Sequence, residues 1–228
     1  MGYSGALTVR ITDLIGSQYS TDASYEGDLI NAAINEVADM LPVEILIKYS
    51  RTPGQLTSNS EWLTEDRKIL QVTRIDANTG GIERTCTEVN RPHFAVAGDS
   101  GSIYEATAYS PIFHHDTANA GAGTLKILPE PTGSQIGKIW YFAYASGDNT
   151  TITQASLNTS LYMPSNLIHA IALKSSANIL KAYISNQVQD EEDSEMVSMV
   201  NAQIQLLEKD FLSEMQRYIP NTQKPKGE

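Results

Sequence analysis

The spacing of apolar residues changes twice along this chain of 228 residues, from helical to alternating and back, and that limits the folds open to it. Leu7, Ile11, Leu14 and Ile15 recur at helical spacing with Gly16 as a stop, although Thr8-Val9-Arg10-Ile11-Thr12 also reads as a strand. From Tyr25, the residues Ile30, Ile34, Val37 and Leu41 form one stripe. Asp22 or Ser24 is available as N-cap, and Glu26 and Asp28 in the first turn suit the helix dipole. Pro42 ends or kinks this helix, and Val43 to Tyr49 adds a turn or two on the same core.

Turn chemistry fills Arg51 to Ser60, and beyond it the alternation of strands begins. Strands are predicted at Lys68 to Asp76, Glu83 to Val89, Ile103 to Ala108, Ile112 to His115, Thr124 to Leu128 and Lys138 to Ala145. Asn78-Thr-Gly-Gly81 and Gly121-Ala-Gly123 read as hairpin turns. Ile139-Trp-Tyr-Phe-Ala-Tyr144 carries apolar groups on both faces, which predicts a central strand with Trp140 in the core.

Helix returns after Pro164, with Ile168, Ile171, Ala172, Ser175, Ile179 and Tyr183 along one side. An acidic break, Gln189 to Ser194, precedes a last helix carrying Val197, Val200, Ile204, Leu207, Phe211, Met215 and Tyr218, closed by Pro220. Amphipathic helices at both ends must bury their stripes, and the shortest solution packs them on one another. The expected class is α+β: a helical body from 1–52 and 160–220, an inserted antiparallel β module (sandwich or small barrel) from 60–150, and a flexible tail at 221–228.

Charge narrows the function. A formal net of −11 without a basic stripe argues against tight nucleic-acid binding, which requires cations to displace counterions. Met1-Gly-Tyr-Ser-Gly-Ala-Leu7 lacks a signal-peptide pattern, and no apolar run reaches the roughly 20 residues of a membrane span. The single Cys86 allows no internal disulfide, so a reducing, aqueous compartment and no membrane partner are expected.

Each chemical motif has a plainer explanation beside it. Gly98-Asp-Ser-Gly-Ser102 resembles a protease nucleophile segment, but His93 lies too close upstream for an intervening barrel half, so a glycine-rich loop accounts for it better. His114-His115-Asp116 offers metal ligands, yet neighbours on a strand face opposite ways. His169 sits on the edge of a helical stripe, packed or exposed. Asp190, Glu191, Glu192, Asp193 and Glu195 lack calcium-loop spacing; they read as a solvated turn whose later acids stabilise the next helix, or as a ring of negative charge at an oligomer pore. No phosphate loop, dinucleotide fingerprint or H-E-x-x-H occurs, so no cofactor and no enzymatic activity are expected.

Several phrases together resemble the head-to-tail connector proteins of tailed bacteriophages, the neck, adaptor or ring proteins beneath the portal. They are Leu29-Ile-Asn-Ala-Ala-Ile-Asn-Glu-Val-Ala-Asp-Met-Leu-Pro42, Arg84-Thr-Cys-Thr-Glu-Val89, Ser102-Ile-Tyr-Glu-Ala-Thr-Ala-Tyr-Ser-Pro-Ile-Phe113, Leu125-Lys-Ile-Leu-Pro-Glu-Pro-Thr132, Trp140-Tyr-Phe-Ala-Tyr144 and the paired helices from Pro164 to Tyr218. The resemblance implies a virion subunit, assembled in the host cytoplasm as a homo-oligomeric ring matched to a twelvefold portal. Its partners would be the portal protein and other neck or tail proteins, with double-stranded DNA passing through unbound. In that setting the acids at 190–195 are candidates for the channel lining, and Pro220, Lys224 and Lys226 for a tail that orders on a partner. A baseplate or fibre-attachment protein, and a carbohydrate-binding module using Trp62, Trp140 and tyrosines, remain as alternatives.

Overall fold

The computed structural model describes residues 5–19, 23–50, 53–57, 62–63, 67–76, 81–116, 124–133, 135–187 and 194–219. In chain order the elements are α1 (Leu7–Ile15), α2 (Ala23–Met40), α3 (Val43–Leu46), β1 (Gly54–Leu56), β2 (Trp62–Leu63), β3 (Arg67–Asp76), β4 (Ile82–Thr85), β5 (Thr87–Glu88), α4 (Arg91–Ala97), β6 (Ile112–Asp116), β7 (Thr124–Leu128), β8 (Gly137–Ala143), α5 (Leu157–Ser160), α6 (Ile168–Gln187) and α7 (Ser194–Met215). The fold is α+β, with N- and C-terminal helices flanking a β module. The helical unit takes Met1–Tyr49 and Tyr144–Glu228, and the β unit takes Ser50–Ala143.

Helix α6 is the axis of the helical unit. It packs on α1, α2 and α7, and Ala170, Ile171, Ala172, Leu173, Ser175, Ser176, Ala177, Ile179 and Leu180 are all buried. A helix buried on nearly every side must serve several neighbours, and its small residues let their backbones approach. The hydroxyls of Ser175 and Ser176 are buried and have no hydrogen-bond partner among the described residues. Lys174 joins three helices: its ammonium lies 2.6 Å from the Glu36 carboxylate on α2 and 5.5 Å from the centre of the Phe211 ring on α7.

Helix ends in this unit are satisfied from far along the chain. The Leu7 amide at the start of α1 donates to the Ile152 carbonyl (2.7 Å), and Gln203 on α7 donates to the Leu14 carbonyl (3.1 Å). These bonds occupy groups that a helix leaves unpaired at its termini. Gly16, at φ 84°, turns the chain out of α1 in a conformation that side chains disfavour.

A second tie runs along α2. Asn31, Asn35 and Asp39, four residues apart, form one line down the helix. Asn31 donates to the Gly147 carbonyl (2.8 Å) and accepts from Asn149 (2.6 Å). Asn35 accepts from the Ala145 amide (2.6 Å) and donates to its carbonyl (3.3 Å), while the Tyr144 hydroxyl donates to Asp39 (3.0 Å). Side-chain amides thus hold an irregular segment as a neighbouring strand would. Burial, reinforced by Asp39, pushes the Tyr144 hydroxyl up to about 12.

Among the described residues the β unit is a sandwich of two four-stranded sheets, β1-β8-β3-β4 and β2-β7-β6-β5. Leu56, Val72 and Ile139 from the first sheet share one core with Phe113, Leu125 and Ile127 from the second, and Cys86 joins them. Gly137 marks a close approach, since an added Cβ would stand 2.5 Å from Ile127 Cδ1. On the outer face of the first sheet, Glu83 accepts from Thr73 (2.6 Å) and from Lys138 (2.7 Å). Burial raises the Glu83 carboxyl, but these bonds outweigh it and leave it below its usual value.

Three sequence expectations change here. Glu83 to Val89 is not one strand: β4 pairs with β3, the chain crosses at Cys86, and β5 pairs in parallel with β6. Sandwich corners are made by strands that switch sheets. Ile103 to Ala108 is a run of turns rather than a strand, held by its own hydrogen bonds. Trp140 is half-buried rather than core, because it pairs with Gln71 on the face turned away from Ile139. The central position of β8 stands as expected, and Phe142 on that far face is buried. The β3–β4 pair closes where Asn78-Thr-Gly-Gly81 predicted a hairpin, although 77–80 lie outside the described residues, as do Gly121-Ala-Gly123, Asp22 and the tail 221–228. The Ser24 side chain also lies outside the description.

Two polar sites in the helical unit should respond with opposite sign. Asn35→Ala strands the Ala145 amide and should cost about 1–3 kcal/mol of unfolding free energy. Ser176→Ala removes a buried hydroxyl without a partner and favours helix, and should gain about 0.5–1 kcal/mol. Urea unfolding of the two variants beside the parent measures both; the account fails if Ser176→Ala destabilises as much as Asn35→Ala.

Candidate functional site

Strand alternation separates the two adjacent histidines on β6. His114 faces outward under α4, its Nδ1–H donating to the Val89 carbonyl (3.0 Å) and its ring 5.7 Å from that of Phe94. His115 lies opposite Leu125 on the other face, and the Asp116 side chain is outside the description. Among the described residues no three of His, Cys, Asp and Glu come together as a metal-binding group.

The segment 98–102 is the start of a folded loop. Asn90 caps α4 by accepting from the His93 amide (3.0 Å), and after Gly98 the chain turns repeatedly before β6. Ser102 donates through its amide to the Asp99 carbonyl (3.1 Å) and accepts at Oγ from the Tyr104 amide (3.2 Å). Glu105 accepts from the Gly101 amide (3.0 Å), and the Ala106 amide returns to the Ala97 carbonyl (3.0 Å). The His93 ring stands edge-on to Tyr104 at 5.8 Å. Motif polar groups thus shape the loop, and its apolar side chains face solvent: Ile103 is 91% exposed, Tyr109 69% and Tyr104 58%.

An arginine of the sandwich borders this loop. Arg84 lies opposite Arg74 across β3 and β4, and its guanidinium sits over the Tyr109 ring at 4.9 Å. Such stacking orients both groups. Arg74 is buried and held by the Pro129 carbonyl (2.9 Å) and Gln135 (2.6 Å). Next along the face, Cys86 is buried; its burial pushes the thiol up to about 12 against the opposing pull of Arg74.

The two units differ in charge. The helical unit holds eight Lys and Arg against seventeen Asp and Glu, a net of −9; the β unit holds eight against ten, a net of −2. Of the predicted channel acids, Glu195 is exposed in the first turn of α7, where it suits the helix dipole. Asp190, Glu191, Glu192 and Asp193 lie outside the described residues, and so do Pro220, Lys224 and Lys226. His169 is exposed at the start of α6 and lines a shallow cleft of about 190 Å³ with Arg10, Asp13 and Leu14. Of the aromatic residues weighed for stacking on sugars, the Trp62 side chain is outside the description.

The exposed loop had no place among the sequence-predicted sites. Its signal was present in the turn formers Gly98, Asp99, Ser100, Gly101, Ser102 and Pro111, which were outweighed by the alternation of Ile103 to Ala108. Because Cys86 is the chain's one thiol and is buried with its proton held, native protein at about pH 8 should leave a thiol reagent such as DTNB nearly unreacted. Unfolding in urea should release one equivalent per chain; rapid reaction of the native protein would overturn this. Compared with known proteins, the chain matches no family model and no curated sequence.

Proposed function

We propose that this chain is a structural, non-enzymatic subunit of the head-to-tail connector of a tailed-bacteriophage virion, forming with its copies a ring between portal and tail. The reading is supported by the distribution of charge. Both chain ends build one helical unit with a net of −9, and the β unit inserted between them carries only −2. A ring multiplies every acidic side chain by its copy number, so a channel walled by this unit repels phosphate and lets double-stranded DNA pass without sticking. Glu195 and the acids at 190–193, five of the seventeen acids of this unit, would stand in that wall. Twelve copies would match the symmetry of a portal, and the β unit would grip neighbouring subunits.

A carbohydrate-binding module is the second reading, favoured by the exposed rings of Tyr104 and Tyr109, which could stack on sugars. Native mass measurement joined to projection images of the purified protein separates the two. A closed ring with an open centre is expected. A monomer that is retained on a glycan array would replace the connector reading, and a closed trimer would move it to a baseplate or fibre-attachment role.

A further inference from the structure

We propose that the paired guanidiniums of Arg74 and Arg84 form a binding site for a small tetrahedral oxyanion, of the phosphate or sulfate class, at the open edge of the first sheet. The site lies within the β unit, and it stands whether or not copies of the chain form a ring.

Register creates the pair. Arg74 on β3 and Arg84 on β4 are directly opposite one another, so their side chains leave the same face, the one on which Val72 and Cys86 enter the inter-sheet core. Like charges at such a position oppose strand pairing. A guanidinium keeps its charge at every ordinary pH, so deprotonation cannot relieve the conflict. Arg74 is also 2% exposed, which leaves little water to screen it.

The donors of the pair are only partly used. Arg74 donates from Nε to the Pro129 carbonyl and from Nη2 to Gln135, while its Nη1 is buried without a hydrogen-bond partner among the described residues. Arg84 Nε is likewise buried and without one. The Tyr109 ring covers a face of the Arg84 guanidinium, and stacking of that kind leaves the in-plane N–H groups free for an acceptor. A buried charged donor left unpaired is costly, and here two stand on facing residues.

No carboxylate among the described residues forms an ion pair with either arginine. Asp76 lies two residues beyond Arg74 on the same face and is buried, but the bonds of Arg74 go to Pro129 and Gln135 instead. Glu83 is held by Thr73 and Lys138 on the outer face, Glu105 accepts from the Gly101 amide, and Asp99 and Glu130 are exposed. Counting Asp76 as a neighbour still leaves two cations against one anion.

Geometry selects the ligand class. A carboxylate satisfies one planar fork within its own plane, whereas the unused donors here belong to two forks on two strands. Bridging them requires oxygens that point in several directions, as those of phosphate or sulfate do. The depth of Arg74 limits the occupant to a small ion. Arg84 is half-buried on β4, which ends the first sheet among the described residues, and this gives the ion its approach from solvent.

Titration calorimetry of the whole chain with inorganic phosphate, at ionic strength held constant with chloride, tests the site. Saturable binding of one phosphate per chain at millimolar concentration or below is expected, with sulfate competing for it. Arg84→Gln should weaken the binding by at least about tenfold, the loss of one charge-assisted contact. Arg84→Lys, which keeps the charge but not the Nε donor, should weaken it as well and serves if the first variant does not fold. Arg67→Gln is the control, because Arg67 also stacks on a tyrosine, 4.9 Å from the centre of the Tyr141 ring, but lies opposite Ala143 rather than a second arginine. Its phosphate binding should match that of the parent. Four results would each overturn the proposal: no saturable binding to the parent, unchanged binding to a folded Arg84 variant, an equal loss in Arg67→Gln, or acetate bound as tightly as phosphate. The connector reading is left in place by all of them, since none reports on assembly.

Discussion

Everything in the helical unit depends on α6 being enclosed on almost all sides by segments from opposite ends of the sequence. Its buried surface has no partner within the C-terminal third alone: α7 covers one side, and α1 and α2 must cover the rest. The two ends of the chain therefore fold into one unit, and the β unit is inserted between them in sequence. Loop-closure entropy rises only with the logarithm of length, so a long insertion adds little to that cost. The β unit has its own inter-sheet core, around Val72, Phe113, Leu125 and Ile139. Lys174 spans this closure from α6, with its ammonium on the half-exposed Glu36 of α2 and over the Phe211 ring of α7.

Much of this was legible because long helices repeat their signal. The stripe Ile30, Ile34, Val37 and Leu41 is buried as its spacing predicts, and so are Ile204, Leu207, Phe211 and Met215. Leu7 to Ile15 allowed two readings, and Gly16 at positive φ shows why the stop residue was the better guide. What periodicity cannot show is a polar line with a tertiary purpose. Asn31, Asn35 and Asp39 look like the solvent face of an amphipathic helix, and only the returning segment at 144–149 reveals that face as a clasp.

The β unit was less legible, for reasons that differ from residue to residue. Ile103 to Ala108 alternates as a strand does, but Ser102, Glu105 and Asp99 satisfy the local backbone and leave no ladder to join. Asn90, with a proline two residues later, was a readable helix start hidden between apparent strands. Cys86 sits in an unbroken alternation, so nothing local marks the crossing between sheets; that follows from the inter-sheet core. Leu70 opens a bulge in β3 opposite the Trp140–Tyr141 step, a shift that alternation in β8 alone could not show.

The same loop that misled strand prediction also explains why a protease-like string can occur without protease chemistry around it. Glycine and small hydroxyl residues are what a tight succession of turns requires, and a catalytic serine segment draws on the same residues for a different end. Here Ser102 Oγ is engaged by a backbone amide and Glu105 by another, so the polar groups act inward on the loop itself. On the loop so shaped, Ile103 and two tyrosines stand in water. Apolar groups exposed in this way form the kind of surface that another surface can cover.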